Sequence, residues 1–563
     1  MAPSRETISA PIGRLCEWDY CTSHRYDNPF DAIELDCIIT SPTGEQWRIP
    51  AFWRGGGRWS VRFVPREEGH YRIETDCSDT TNPQLHASIR TLHVQHTASA
   101  TLPERIGLDP TRNGFQRNGT PFFWLADTWW MGLSDRLHFP DDFTSLTADR
   151  KQKGFSVIQL VIGLFPDMDH FDPRAKNEGG LVWEEDYTAI NPAYFDAADK
   201  RIEHLVARGL TPCIIGAWGY YILKMGKRKM QQHWRYIIAR WGALPVIWCA
   251  AGEAAMPYYL STNGPEERDR QISLWTDITR YIRTTDPFNN LITIHPTDTS
   301  TTQVLDPSVL DFVMLQAGHQ GYESISRALD MIRTHIRNFP SLPVVMAEMN
   351  YEGIMHDTHA EIQRLGFWSS MLSGAAGFSY GANGVWQVNR TDAPFGPSPH
   401  GGTWGNIPWQ EAMTQYGSMH LGKATQLLEG YPWYQMQPHP EWLSPQSDPH
   451  ESRAIRIAGI PGSIRILYLY GPIHPWSQPR YRIVQIERGS AYEAFFWDPR
   501  TGVRIPISSV EADRNGTWEI PLLPTFDDWV LVMENHQKIT PPSGGRRLWE
   551  KAKRGIKRFL PER

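Results

Sequence analysis

The chain lacks most of the features that would assign it quickly. No run of 18 or more apolar residues occurs in its 563, so no segment reads as a transmembrane helix. The opening, MAPSRETISAPIGRLCEWDY, has no apolar core of the length a secretory signal needs. As numbered, the chain is expected in the cytoplasm unless a signal was removed before residue 1. Surplus positive charge is also missing: 56 Lys and Arg stand against 62 Asp and Glu, a net charge of −6. A nucleic-acid or polyanion groove would need the opposite balance. Cysteine is sparse, with six residues, no Cys-x-x-Cys pair and no adjacent His cluster at zinc-ligand spacing. The even count permits disulfides within the first 77 residues, although a chain of this length does not need them. A Gly-x-Ser-x-Gly elbow is absent, and Cys249 lies inside an apolar run, which argues against a Ser or Cys nucleophile.

What the chain has in excess is tryptophan, 24 residues. Flat indole faces stack on the C–H face of sugar rings, and they also fill the cores of β-rich domains, so both uses stay open. The pattern divides into three regions. Residues 10–97 read as short strands (IELDCIIT, EQWRIPAFW, WSVRFVP, HYRIETDCS, SIRTLHVQ) separated by turn signals, which predicts a small antiparallel β-sandwich. Residues 110–420 alternate apolar runs with helical periodicity. The runs are PFFWLAD, FSVIQLVIG, TPCIIGAW, PVIWCAAGE, NLITIHP, DFVMLQAGH, PVVMAE and AAGFSYGA. Phe195, Ile202 and Val206 mark one intervening helix, Leu274, Ile278 and Ile282 another, and Ile325 to Ile336 a third that stops before Pro340. Eight such strands predict a (β/α)8 TIM barrel; a doubly wound sheet is disfavoured because no Gly-x-Gly-x-x-Gly turn follows the first strand. Residues 425–535 return to strands and predict a second sandwich.

The final segment, 541–563, places Leu548, Trp549, Ala552, Ile556, Phe559 and Leu560 on one helical face among eight Lys or Arg. It reads as a basic amphipathic helix for weak contact with an anionic membrane surface, or as a helix docked on its own protein.

In a barrel of this type the active site lies at the C-terminal strand ends, so the polar and aromatic residues there are the candidates. They are Asp127, Trp129 and Trp130 after strand one, Gln159 in strand two, Trp218 after strand three and Glu253 after strand four. His295 follows strand five, Gln316 and His319 strand six, Glu348 and Tyr351 strand seven, and Tyr380, Asn383 and Trp386 strand eight. Tyr220, Trp404 and Trp409 are further candidate walls. Carboxylates after strands four and seven face each other across a barrel mouth, as hydrolysis of a glycosidic bond requires: one protonates the leaving oxygen, the other attacks or activates water. Alternatives accompany each. Glu253 could pair with a loop arginine, Glu352 rivals Glu348, and His295 and His319 suit sugar hydroxyls better than zinc.

The stretch from Asn113 to Ala412 resembles the apiosidase-like glycoside hydrolase barrel. The motifs include RNGTPFFWLADTWW, KGFSVIQLVI, NPAYFDAADKRIEHLVARGL, LPVIWCAAGE, LITIHP, DFVMLQAGH, PVVMAEMNYEG and GAAGFSYGANGVWQ. Residues 12–95 are similar to the β-sandwich that often precedes this barrel, and FFWDPRTG with FDDWVLVM is similar to a collagen-binding-type sandwich. The resemblance implies hydrolysis of a plant or microbial polysaccharide by a retaining mechanism, with Glu253 as acid/base, Glu348 as nucleophile, and no metal or organic cofactor. The family commonly has Asp where Glu253 stands, and Asp-Gly-Glu-Pro in place of Met346-Ala347-Glu348-Met349, so the substrate need not be an apiose-containing pectin. A non-catalytic carbohydrate-binding or exopolysaccharide-associated scaffold is the alternative.

Overall fold

The structure, a computed structural model, describes residues 7–96, 101–111, 113–470 and 481–535. The basic segment 541–563 lies outside the described residues. At the centre stand eight parallel strands. They are β1 (Trp124–Thr128), β2 (Val157–Val161), β3 (Thr211–Ile215), β4 (Ile247–Cys249), β5 (Ile292–Thr293), β6 (Val313–Gln316), β7 (Val344–Glu348) and β8 (Gly377–Tyr380). Every residue of these strands is buried, as expected of a parallel sheet covered on both faces, and this is why they read as continuous apolar runs. Their order is β5-β4-β3-β2-β1-β8-β7-β6, a nearly closed (β/α)8 barrel.

The seam falls between β5 and β6. No strand ladder joins them; the Asp311 amide donates to the Ile292 carbonyl at 2.9 Å and the Thr293 hydroxyl to the Phe312 carbonyl at 2.9 Å. The chain between these two strands forms only 3-10 turns, Ser300–Thr302 and Pro307–Val309. The other connections carry α-helices: α1 (Asp141–Gln152), α2 (Pro192–Ala207), α3 (Tyr221–Trp241), α4 (Gly264–Thr285), α5 (Tyr322–Asn338) and α6 (Ala360–Met371), with α7 (Tyr416–Glu429) after β8. Local signals explain their limits. Asn191 caps α2 by accepting from the Ala193 amide, with Pro192 at the first helical position, and α5 ends two residues before Pro340.

The N-terminal region is a sandwich of a five-stranded and a three-stranded sheet around Cys37, Ile39, Val61, Tyr71, Ile73 and Leu92. It is antiparallel except for its first strand, Thr7–Pro11, which runs parallel to Ile89–Gln95. Arg62 ties it to the barrel. Its guanidinium makes a two-pronged ion pair with Asp199 of α2 (2.9 and 2.6 Å), which Arg240 of α3 joins at 2.9 Å. Removing one member of such a buried set costs about 3–5 kcal/mol.

The C-terminal region is an antiparallel six-stranded sheet with a small three-stranded one. Its strands alternate faces. Ile464, Ile466, Tyr468, Val530 and Val532 pack on the barrel, while Leu467, Leu469, Leu531 and Met533 fill the region's own core. Burial on both sides explains the unbroken apolar run in SIRILYLY. Arg364 of α6 fixes the contact through two 2.7 Å bonds to Asp528, which also accepts from the Tyr468 hydroxyl at 2.7 Å. All six cysteines are free. No helix among the described residues is long and apolar enough to cross a membrane.

Candidate active site

The barrel mouth holds a cavity of about 340 Å³. Its walls come from the ends of β1, β3, β4, β6 and β7 and from the loops after β2 and β8, and both expected carboxylates line it.

Glu253 stands four residues beyond β4 with φ at +41°, a strained left-handed backbone for a non-glycine residue. Its neighbours hold it there. The Gly252 amide donates to the Ala217 carbonyl (3.0 Å), the Gly219 amide to the Gly252 carbonyl (2.8 Å), and the Ala254 amide to the His295 carbonyl (3.3 Å). A side chain at Gly252 would place a Cβ 2.7 Å from the Trp218 ring, so the small residue lets that indole lie beside the carboxylate. Trp218 Nε1 donates to Glu253 Oε2 at 3.2 Å, and Gln316 Nε2 donates to Oε1 at 2.9 Å. Removal from water and the nearby charge of Glu348 push the Glu253 pKa up to about 8.

Glu348 ends β7 at a β-bulge, where Leu315 pairs with Met346 but Gln316 pairs with Glu348. It accepts from His319 Nε2 at 3.0 Å, from the Tyr351 hydroxyl at 2.7 Å and from Gln316 Nε2 at 3.4 Å. The Tyr351 amide donates to His319 Nδ1 at 3.1 Å, which selects the tautomer carrying its proton on Nε2, aimed at the carboxylate. Burial works against the Glu348 charge, but the His319 hydrogen bond, the electrostatic pull of the His319 and His295 imidazoles and the Tyr351 bond together outweigh it and hold the pKa below its ordinary value. One amide nitrogen, Gln316 Nε2, reaches both carboxylates, so their two Oε1 atoms lie within about 6.3 Å of each other.

The remaining candidates divide between the cavity and its surroundings. Trp130, Trp218, Gln316, His319, Tyr351, Trp386 and Trp404 line the cavity. Gln159 and His295 sit in the barrel interior. Gln159 Nε2 reaches Thr128 Oγ1 at 3.3 Å, and its Oε1 accepts from Ser379 at 3.3 Å. His295 Nε2 is 3.6 Å from Glu348 Oε2, and Trp130 packs edge-on against its ring.

Asp127 and Tyr380 do not face the cavity. Their neighbours Thr128 and Ser379 point inward to Gln159, so strand alternation turns Asp127 and Tyr380 outward. There Asp127 binds Arg150 Nε and Trp129 Nε1, both at 2.6 Å, which takes Trp129 out of the cavity with it. The Tyr380 hydroxyl donates to Glu352 at 2.5 Å, and Glu352 also accepts from the Gly417 amide at 3.0 Å. The rival of Glu348 is thereby committed elsewhere. Asn383 is buried against Gly405, and neither Tyr220 nor Trp409 lines the cavity. Sequence reasoning missed Asp167, Met256, Tyr259, Ile354 and His400, all of them wall residues on loops beyond the apolar runs. Among the described residues, no group of three or more His, Cys, Asp or Glu is arranged to hold a metal.

A parallel barrel of this kind, flanked by antiparallel β-sheet regions, is a glycoside-hydrolase-like fold. The chain belongs to the apiosidase-like catalytic-domain family, which matches residues 111–435. A domain of unknown function, DUF5060, matches residues 14–78. No curated protein matches the chain. Among solved structures, a glycoside hydrolase family 5 protein from Bacteroides vulgatus is similar with a TM-score of 0.63 and 19% identity, over 78% of this chain and 96% of that one. A structure described as a glycoside hydrolase gives 0.62 and 19%, over 78% and 99%. A second Bacteroides vulgatus structure gives 0.67 and 14%, over 94% and 100%.

Proposed function

We propose that this protein hydrolyses a glycosidic bond of a plant or microbial polysaccharide with retention of configuration, Glu348 acting as nucleophile and Glu253 as acid/base. In the first step a Glu348 oxygen bonds to the anomeric carbon as the bond to the leaving oxygen breaks, and the Glu253 proton passes to that oxygen. In the second, the Glu253 carboxylate takes a proton from water as the water oxygen attacks the anomeric carbon and releases Glu348. Both carboxyls return to their starting states.

The observation that carries this reading is the divergence of two carboxyls in one cavity, one favouring its proton and the other its charge. The donor shared by the two carboxyls keeps one pair of their oxygens within about 6.3 Å, which leaves room for the separation of about 5–5.5 Å of a retaining pair. The resemblance of the barrel to glycoside hydrolases points the same way.

The test is hydrolysis of an aryl glycoside and polysaccharide panel by wild type, Glu253→Ala and Glu348→Ala, with and without azide. The expected result is rescue of Glu253→Ala by azide, giving a glycosyl azide of retained configuration. Near-normal turnover by Glu348→Gln would overturn the assignment.

A further inference from the structure

Asp167 stands out because the chemistry above gives it nothing to do. It lies on the loop after β2, lines the same cavity as Glu253 and Glu348, and is only 6% exposed, yet its Oδ1 has no hydrogen-bond partner. A buried acceptor left in that state is costly, more so when charged, unless a ligand supplies the donor.

Its placement is fixed from several sides. The Asp167 amide donates to the Tyr259 hydroxyl at 2.9 Å, and its backbone is held at φ +57°, a region that Asp tolerates better than most residues. Arg174 Nη2 donates to the Asp167 carbonyl at 3.3 Å, but this guanidinium is taken up by Asp172 at 2.7 Å and the Phe395 carbonyl at 2.8 Å. Burial lifts the Asp167 pKa to about 6, and neighbouring Trp404, His400 and Tyr259 only temper the rise, so the group is charged at neutral pH.

The cavity's overall charge sharpens the point. Its lining carries three acidic side chains, of which Glu253 holds its proton, and neither Lys nor Arg. The two histidines present are already engaged. His319 donates to Glu348, and His400 shares Nδ1 with the Ser398 hydroxyl at 2.9 Å while packing edge-on to Tyr259. A uronate would bring a third charged carboxylate into this enclosure with neither Lys nor Arg in the lining to meet it, an unfavourable like-charge juxtaposition. A neutral sugar offers hydroxyl donors, to which an ionised acceptor bonds strongly.

Resting on the proposed glycosidase reading, we infer that Asp167 is a specificity-determining residue that accepts sugar hydroxyls, so that the cavity takes neutral sugar units and rejects uronates.

The test is calorimetric binding to the full-length Glu348→Gln protein, alone and combined with Asp167→Asn or Asp167→Ala. The probes are a neutral pool (xylan, arabinan, galactan, mannan and β-glucan oligosaccharides) and an acidic pool of oligogalacturonides. The expected result is binding from the neutral pool only, weakened about 10-fold by Asp167→Asn and about 100-fold by Asp167→Ala. The near-isosteric Asn variant should keep the wild-type melting temperature and narrow the preference for neutral over acidic oligosaccharides. Binding of the acidic pool as well as or better than the neutral one, unchanged affinity in both Asp167 variants, or no binding by either pool overturns the inference. Failure of the glycosidase reading has a separate signature, turnover by Glu348→Gln at the wild-type rate.

Discussion

Glu253 and Glu348 are the same residue type in one cavity, and Glu348 is the less exposed of the two. Burial alone would make Glu348 the stronger candidate for a raised pKa, yet it holds its charge while Glu253 holds its proton. The difference lies in the neighbouring charges and the donors. Glu348 receives a phenol at 2.7 Å and an imidazole N–H at 3.0 Å, whereas Glu253 receives an indole N–H at 3.2 Å and one amide. Backbone geometry separates them too. A bulge closing a buried strand delivers Glu348 into a ready-made set of donors, while a left-handed turn carries Glu253 past its strand toward an indole. Desolvation raises both; the charge of Glu348 adds to the rise at Glu253, while the donors and imidazoles around Glu348 reverse it there.

That comparison can be broken in order of severity. Glu348→Gln removes the nucleophile, and kcat should fall by about 10³-fold or more for every substrate, whatever its leaving group. Glu253→Gln should lower kcat by about 10²–10⁴-fold for substrates with poor leaving groups and far less for dinitrophenyl glycosides, whose leaving oxygen needs no proton. Equal losses across the leaving-group series would show that the two roles are not divided in this way. Tyr351→Phe takes the shortest donor from Glu348. A hydrogen bond to a charged group is worth about 1.5–3 kcal/mol, so kcat should drop about 10-fold or more and the acidic limb should move to higher pH.

The wild-type profile of kcat/KM against pH should be a bell. Glu253 must carry its proton, so activity falls as pH rises through about 8; Glu348 must be ionised, so activity falls as pH drops through a value below the ordinary carboxylate range. The mildest change is Gln316→Leu, which removes the donor shared by both groups. It should lower kcat roughly five-fold and shift the two limbs upward together, a displacement that a pH-rate profile resolves.

How much of this was legible in the sequence follows from what decides each feature. The eight strands were readable because burial on both faces forces unbroken apolar runs, and the carboxylates followed from their places just past runs four and seven. The seam between β5 and β6 was not, since polar turns around Pro307 look like any other loop. Asp127 and Tyr380 sit at strand ends as expected, but which face a strand-end side chain takes depends on a register that composition does not reveal. Glu348 was already preferred to Glu352 in the sequence, but the bulge that turns it toward the cavity was not legible there. Asp167 gave little signal, because its enclosure is made by loops after β2, β4 and β8 that meet only in the folded molecule. Tryptophan occupies both kinds of place, core and cavity wall. Trp124, Trp234, Trp248 and Trp368 are core, whereas Trp130, Trp218, Trp386 and Trp404 form the cavity walls.

The ion pair between Arg364 and Asp528 also has a consequence in time. Arg364 lies on α6, after the strand that carries Glu348, and its carboxylate partner is 164 residues farther along the chain. A ribosome adding about 5–20 residues per second takes on the order of 10–30 s to cover that interval. Until then the nascent barrel carries an unneutralised guanidinium and leaves uncovered the apolar surface that Ile466, Tyr468 and Val532 later bury. The barrel is therefore completed only when its C-terminal sheet arrives, and the window in which it is open to chaperones and proteases is set by how quickly that sheet is made.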